Sequence, residues 1–298
     1  MTVAASRGPM RSRTPLQARC ARRLAVALCL ASFACAGIPS PAQRRSFADA
    51  LAESEGWHAI TIPAGSLDLV AYVPDRSAND RSLTVFVEGD GLAWIGDAGP
   101  SSDPTPRDPV ALRMALAHPD GNAAYLARPC QYVGARATGC PSGYWTTGRF
   151  SPEVIDATGR AIDALEERFG SDRLTLVGYS GGGAVAALVA ARRVDVERLV
   201  TIAGNVDPAA WARLHHIPAL GGSLNPADEV AALRAIRQWH FIGARDTNVP
   251  PELALGFARL FPENERPVVE AETGFDQRCC WANAWPRLWS EVVASRAP

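Results

Sequence analysis

Ser180 is the residue of this chain whose surroundings point most directly to chemistry. It stands in the middle of Gly178-Tyr179-Ser180-Gly181-Gly182, between a short apolar run with Leu174, Leu176 and Val177 and an alanine-rich stretch from Gly182 to Arg193. The first run reads as a strand and the second as a helix, so the chain must turn from one to the other across five residues. A turn that tight strains the backbone of its central residue and leaves no room for Cβ atoms two positions away on either side, which explains the glycines at 178 and 182. The hydroxyl is thereby lifted to the N-terminus of a helix, where free N–H groups favour developing negative charge. That is the setting of a serine nucleophile in acyl transfer. A phosphate-binding loop fits poorly, because no Gly-Lys-Ser/Thr follows and the spacing is not G-x-G-x-x-G.

Further elements are needed to bring partners to this serine. Leu83 to Val87 reads as a buried strand that breaks into Glu88-Gly89-Asp90-Gly91, a turn whose backbone N–H groups are exposed at the strand's carboxyl end. Asp90 or Gly91 then supplies one half of an oxyanion hole and Gly181 the other. Strands are also expected at Trp57 to Ile62 and Leu67 to Val73 as a hairpin, and at Asn122 to Ala127, Leu199 to Ala203, Gln238 to Ile242 and Pro267 to Ala271. Helices are expected at Phe47 to Ser54, Pro109 to Ala117, Ser151 to Gly170 and from Trp281, where Trp281, Trp285 and Trp289 share a face that docks on the sheet. The loop from Trp94 to Pro109 reads as a pocket wall, and the one from Tyr132 to Phe150, with Tyr144 and Trp145, as either cleft lining or packing. Alternation of strand and helix implies a mostly parallel central sheet with functional loops at the carboxyl ends of its strands.

From Phe47 to Pro298 this order of parts resembles the α/β-hydrolase superfamily, in particular its secreted or lipid-anchored bacterial esterase-like members. The resemblance rests on Gly178 to Gly182 and on Gly243 to Pro250, which is similar to the family's acid turn. It implies an α/β-hydrolase fold with helices on both faces of the sheet and a small cap-like insertion, placed at Pro208 to Ile236. It further implies a triad in the order Ser, Asp or Glu, then His, with Ser180 and Asp246 in the first two places and Asp207 as the rival acid. No histidine follows Asp246; the five are His58, His118, His215, His216 and His240. After the last strand the chain has Gly274-Phe275-Asp276-Gln277, so Gln277 occupies the histidine slot. An amide donates and accepts hydrogen bonds but does not take a serine proton near neutral pH. His215 or His216, in the cap-like segment, is the alternative base; His240, inside a strand, reads as structural, and His58 and His118 as peripheral.

Composition bounds the rest. At 298 residues with 47% hydrophobic and 20% charged residues, one large core is expected and no coiled coil or disordered class. The leader has arginines at 7, 11, 13, 19, 22 and 23, then the apolar run Leu24 to Ala36, a secretory signal pattern over residues 1–36. Ala34-Cys35-Ala36 offers a cleavage site, whereas Cys35 after Ser32-Phe33-Ala34 offers a lipidated cysteine; the lipid anchor is favoured by the tether-like stretch at 37–46. Export to the periplasm or cell envelope, possible membrane anchoring through Cys35 and a single domain from 47 to 298 are the expectation. Taking the six leader arginines from the 30 basic residues leaves 24 against 31 acidic ones, a formal charge of −7, which argues against a nucleic-acid partner.

Outside the leader, Cys130, Cys140, Cys279 and Cys280 would meet an oxidising compartment. A Cys130–Cys140 disulfide is preferred among three pairings, with Cys279 and Cys280 open between a vicinal bridge and free thiols. No histidine stands at ligand spacing, so neither a metal nor any other cofactor is expected. Two functions remain: a serine hydrolase of small-molecule carboxylic esters, weakened by the absent histidine, and a degenerate hydrolase-fold binding protein whose pocket holds an anionic or carbonyl ligand.

Overall fold

The β-branched and aromatic runs all enter one sheet. In the computed structural model, which describes residues 37–96, 99–134 and 140–294, eight strands follow the order β1-β2-β4-β3-β5-β6-β7-β8. They are β1 (Trp57–Ala64), β2 (Leu67–Pro74), β3 (Ser82–Val87), β4 (Asn122–Leu126), β5 (Arg173–Tyr179), β6 (Val196–Ile202), β7 (Arg237–Gly243) and β8 (Val268–Glu272). The hairpin β1-β2 is antiparallel and β2 meets β4 antiparallel; every pair from β4 to β8 is parallel. Parallel strands bring their carboxyl ends to one edge, so the loops after β3, β5, β6, β7 and β8 share it.

Helices cover both faces. Helix α1 (Pro41–Glu53), α2 (Val110–Leu116) and α8 (Trp281–Ala294) pack on one side with Phe86, Tyr125 and Phe241. Helix α3 (Pro152–Phe169), α4 (Gly181–Ala190) and α7 (Pro251–Ala258) pack on the other with Val85, Leu176 and Leu199. The expected tryptophan face of α8 is realised: Trp281 and Trp285 are fully buried and Trp289 nearly so. Each such side chain contributes roughly 1.5–3 kcal/mol or more by burial. Helix α3 is held at both ends as its sequence implies, by Ser151 accepting from the Val154 N–H and by Gly170 at φ 63°. Between β6 and β7 lie α5 (Pro208–Leu214), a 3₁₀ turn at Pro226–Glu229 and α6 (Val230–Leu233), in the place expected for the cap-like insertion.

Two local expectations change and one open choice is resolved. Helix α1 begins at Pro41 rather than Phe47, because Ser40 and Gln43 form a reciprocal capping box, so residues 41–46 are helical rather than tether. His118 is not peripheral: it accepts from Trp285 Nε1 at 3.1 Å and packs 4.6 Å from the Trp289 ring, and burial lowers its pKa to about 4. Trp145 packs against Ala93 and Cys130, and Tyr144 donates to Glu153, so these two aromatics serve packing. Cys130 and Cys140 are disulfide-bonded with Cα atoms 5.7 Å apart, and Cys279 is bonded to Cys280. The leader and Cys35 lie outside the described residues.

Candidate active site

Ser180 connects β5 to α4 with φ 52° and ψ −122°, a left-handed backbone that a non-glycine residue adopts only when its surroundings impose it. Those surroundings are tight. A Cβ on Gly178 would lie 2.4 Å from the Gly182 carbonyl oxygen, and one on Gly182 would lie 2.4 Å from that of Val87. The Ser180 N–H donates to Ile202 and its carbonyl accepts from Gly183 and Asn205, which ties the turn to β6. The hydroxyl faces a cavity of about 760 Å³.

The loops after β7 and β8 bring two further side chains to Ser180. Asp246 is buried, and its Oδ1 accepts from the N–H groups of Asn248 at 2.8 Å and Val249 at 2.9 Å. Gln277 stands between them. The orientation of its carboxamide that satisfies both neighbours has the carbonyl oxygen accepting from Ser180 Oγ at 2.9 Å, with the nitrogen 3.1 and 2.5 Å from Asp246 Oδ1 and Oδ2. Serine, amide and carboxylate thus form one hydrogen-bonded row. Burial raises the Asp246 pKa; the two N–H bonds oppose that rise without cancelling it.

Gln277 is firmly placed. Tyr179, the residue before the serine, donates its hydroxyl to the main-chain carbonyl of Gln277 at 2.9 Å. Asp276 Oδ1 accepts from the N–H groups of Arg278 and Cys279, each at 2.8 Å, and the Asp276 carbonyl accepts from Trp281 Nε1 at 3.0 Å.

The turn after β3 lies against the elbow: β3 and β5 pair Val87 with Gly178, and a Cβ on Gly89 would lie 3.2 Å from Ser180 Cβ. Asp90, Gly91 and Ser180 all line the cavity. Gly181 is the first residue of α4, so its N–H has no partner within the helix. The Asp90 side chain has a place of its own. Its carboxylate rests on Gly181, where a Cβ would come within 2.1 Å of Oδ1, and it pairs with Arg149 at 2.5 Å and Arg128 at 3.2 Å. Burial works to raise the Asp90 pKa, and the two guanidinium groups overcome it and hold it low. Gln131, next to the Cys130 bridge, donates to the Gly89 carbonyl at 2.9 Å and fixes the turn from behind.

The alternative candidates stand elsewhere. Asp207 caps α5, accepting from the Ala210 N–H at 2.9 Å and from Asn225 at 3.2 Å. His215 Nε2 donates to the Asn248 carbonyl at 2.7 Å, and His216 is exposed at a positive φ; neither lines the cavity. His240 is buried beside Thr201, and burial lowers its pKa to about 3. Among the described residues, the carboxylates close enough to share a metal ion are Glu270, Glu272 and Glu291, away from the cavity, with Arg287 bonded to the latter two.

Sequence reasoning missed Glu88, Arg128 and Arg149. Glu88 lines the cavity, 1% exposed, with Oε1 accepting from the Gly89 N–H at 2.8 Å and the Tyr125 hydroxyl beside the carboxyl. Burial pushes its pKa up to about 8. Its position at the end of an apolar strand was the available signal. The arginines left none, since they lie 38 and 59 residues from Asp90.

No family model matches the chain, and no curated protein matches it by sequence. Solved structures do match. Est1E from Butyrivibrio proteoclasticus has 15% identity and a TM-score of 0.54 over 80% of this chain and 99% of that one; a second Est1E structure has ferulic acid bound. The esterase domain of a Rhodothermus marinus protein has 17% identity and a TM-score of 0.52 over 79% and 98%. Proline iminopeptidase from Mycobacterium smegmatis has 14% identity and a TM-score of 0.52 over 79% and 96%. Likeness at such identities speaks for architecture, and esterase and peptidase share it. With the sheet order and the strand–turn–helix at Ser180, it establishes that this chain has the α/β-hydrolase fold.

Proposed function

We propose that this protein is a serine hydrolase of small carboxylic esters, with Ser180 as nucleophile, Asp246 as acid and Gln277 in place of the usual histidine. The observation that carries this reading is the row Ser180–Gln277–Asp246, with the serine strained on a helix start at a cavity floor. In this scheme Ser180 Oγ adds to the ester carbonyl, and its oxygen takes the charge toward the N–H groups of Gly181 and of Asp90 or Gly91. Gln277 aims the hydroxyl but cannot accept its proton, which passes to water as the oxyanion forms. Collapse breaks the ester bond and releases the alcohol; water then hydrolyses the acyl-serine and frees the acid. With positioning and an oxyanion hole but no base, a residual 10³–10⁴ over water is the expected scale.

The neutral amide favours a second reading, a binding protein that keeps the pocket without turnover. A fluorophosphonate probe separates the two. Labelling of wild type at Ser180, lost in Ser180→Ala, with slow release of p-nitrophenol from short-acyl esters, supports the hydrolase. An unlabelled folded protein leaves the binding reading. Export and anchoring through Cys35 are proposed on the leader pattern, and the Cys130–Cys140 bridge fits an oxidising compartment. Mass analysis of the mature N-terminus tests both; an unmodified N-terminus after position 36 refutes the anchor.

A further inference from the structure

The cavity over Ser180 has two kinds of wall. Trp94, Trp211, Ile217 and Leu220 give it apolar sides, and Trp94 is 46% exposed. The charged groups are unevenly matched. Asp108 is bound to Arg113 at 2.7 Å, and Asp90 is shared between Arg128 and Arg149, which leaves that trio net positive. Arg107 and Arg278 also line the cavity; both are exposed, and among the described residues neither guanidinium has an ion-pair or hydrogen-bond partner. The remaining acid, Glu88, is buried, and burial pushes its pKa up to about 8.

A cationic mouth is the opposite of what the chain's composition would give. Beyond residue 36 the acidic residues outnumber the basic ones, yet two exposed arginines without an ion-pair partner among the described residues line the cavity that holds the serine. Charges of one sign gathered in a cleft with low-dielectric walls focus the field and draw in a ligand of opposite sign. Arginine is also the side chain that grips a planar carboxylate through two parallel N–H donors. Arg278 directly follows Gln277 in a loop whose backbone is fixed by Asp276, so the residue's place next to the serine's partner is set.

We propose that this cavity selects an anionic ester: an apolar or aromatic body against Trp94 and Trp211, and a carboxylate held at the mouth by Arg107 and Arg278. This rests on the ester reading of the same cavity and adds the substrate class. No contact with Asp246 or Gln277 is required of the carboxylate.

The test uses binding and turnover separately. Monophenyl glutarate and phenyl valerate, which differ chiefly in the terminal carboxylate, are titrated calorimetrically into the full chain carrying Ser180→Ala. The hemiester binds at least tenfold more tightly at 20 mM salt, and the ratio shrinks at 500 mM as exposed charges are screened. Adding Arg107→Gln and Arg278→Gln brings the ratio close to one, whereas Arg107→Lys and Arg278→Lys keep most of it. A ratio near one before the arginine changes, or one that survives the double glutamine variant, overturns the proposal, as does failure of the hemiester to bind. Wild-type turnover of the matching p-nitrophenyl esters is read independently. Hemiester preference without turnover keeps the anion site and refutes the hydrolase, and turnover without preference does the reverse.

Discussion

Replacing Gln277 by histidine restores a base to a row that is otherwise in place. The carboxamide of Gln277 presents one heteroatom 2.9 Å from Ser180 Oγ and the other 3.1 and 2.5 Å from the two Asp246 oxygens. An imidazole offers two ring nitrogens with a comparable separation, although only Nε2 lies as many bonds from Cβ as the carboxamide heteroatoms do, and Nδ1 lies one bond closer. The backbone at 277 is fixed by Tyr179 and by the turn at Asp276, so the ring would be delivered to the same place. A well-placed general base contributes about 10²–10⁴ in rate. Allowing for imperfect docking, kcat/KM for p-nitrophenyl acetate should rise at least tenfold in Gln277→His, which is roughly 1.4 kcal/mol of barrier. The gain should carry a pH signature absent from wild type, a rise through the imidazole pKa, displaced upward from about 6.5 by the adjacent carboxylate. Adding Asp246→Asn to Gln277→His should remove most of the gain, because the ring loses its orienting acceptor. A folded Gln277→His protein with wild-type kcat/KM and no new pH limb would refute the placement of the site.

Two further perturbations test the frame around the serine. In Gly182→Ala the new methyl meets backbone oxygens of Val87 and Glu88 at 2.4 and 2.5 Å, neither of which can swing away, so a loss of roughly 2–3 kcal/mol or more in urea unfolding is expected; unchanged stability would show that the elbow is not strained by packing. Glu88 keeps its proton to about pH 8 when folded and loses it near 4.5 when unfolded. Within that window the folded state binds the extra proton, so this group's contribution to stability falls as pH rises, by roughly 2 kcal/mol between pH 6 and pH 8. Glu88→Gln should abolish that decline in urea melts at the two pH values, and an identical slope would mean that the carboxyl is ionised throughout.

Local spacing carried the parts of the site that could be read from the chain. The elbow is a five-residue pattern with its cause built in, and Asp246 and Gln277 follow strand ends recognisable from apolar runs. Ser40 and Gln43 are a legible capping box within the tether-like stretch at 37–46. Proline at the first helical position is compatible with a helix start. What stayed hidden depends on tertiary contact. Arg128 and Arg149 acquire their role only when β3 and β4 lie side by side, and Tyr179 reaches a carbonyl 98 residues away. His118 is apolar in its surroundings because α8 returns from the far end of the chain to cover it, a docking that no window around residue 118 displays.

The cations explain how a row without histidine could work at all. In an ordinary triad the proton lifted from serine leaves an imidazolium between two negative groups, so positive charge grows where negative charge does. In the proposed scheme Gln277 stays neutral, so the anion forming on the substrate is met from elsewhere. The N–H of Gly181 and the start of α4 supply part of it, but the Asp90 carboxylate resting on Gly181 opposes them. Arg149 and Arg128 reverse that opposition, since two positive charges face one negative, and Arg149 itself lines the cavity. Pairing Asp90 with a single arginine would leave the oxyanion beside a neutral couple; pairing it with two leaves a fixed positive field at the place where the charge develops. That field costs no reorganisation during the reaction, because both arginines are already buried and bonded. On this reading the turn after β3 compensates for what the loop after β8 lacks.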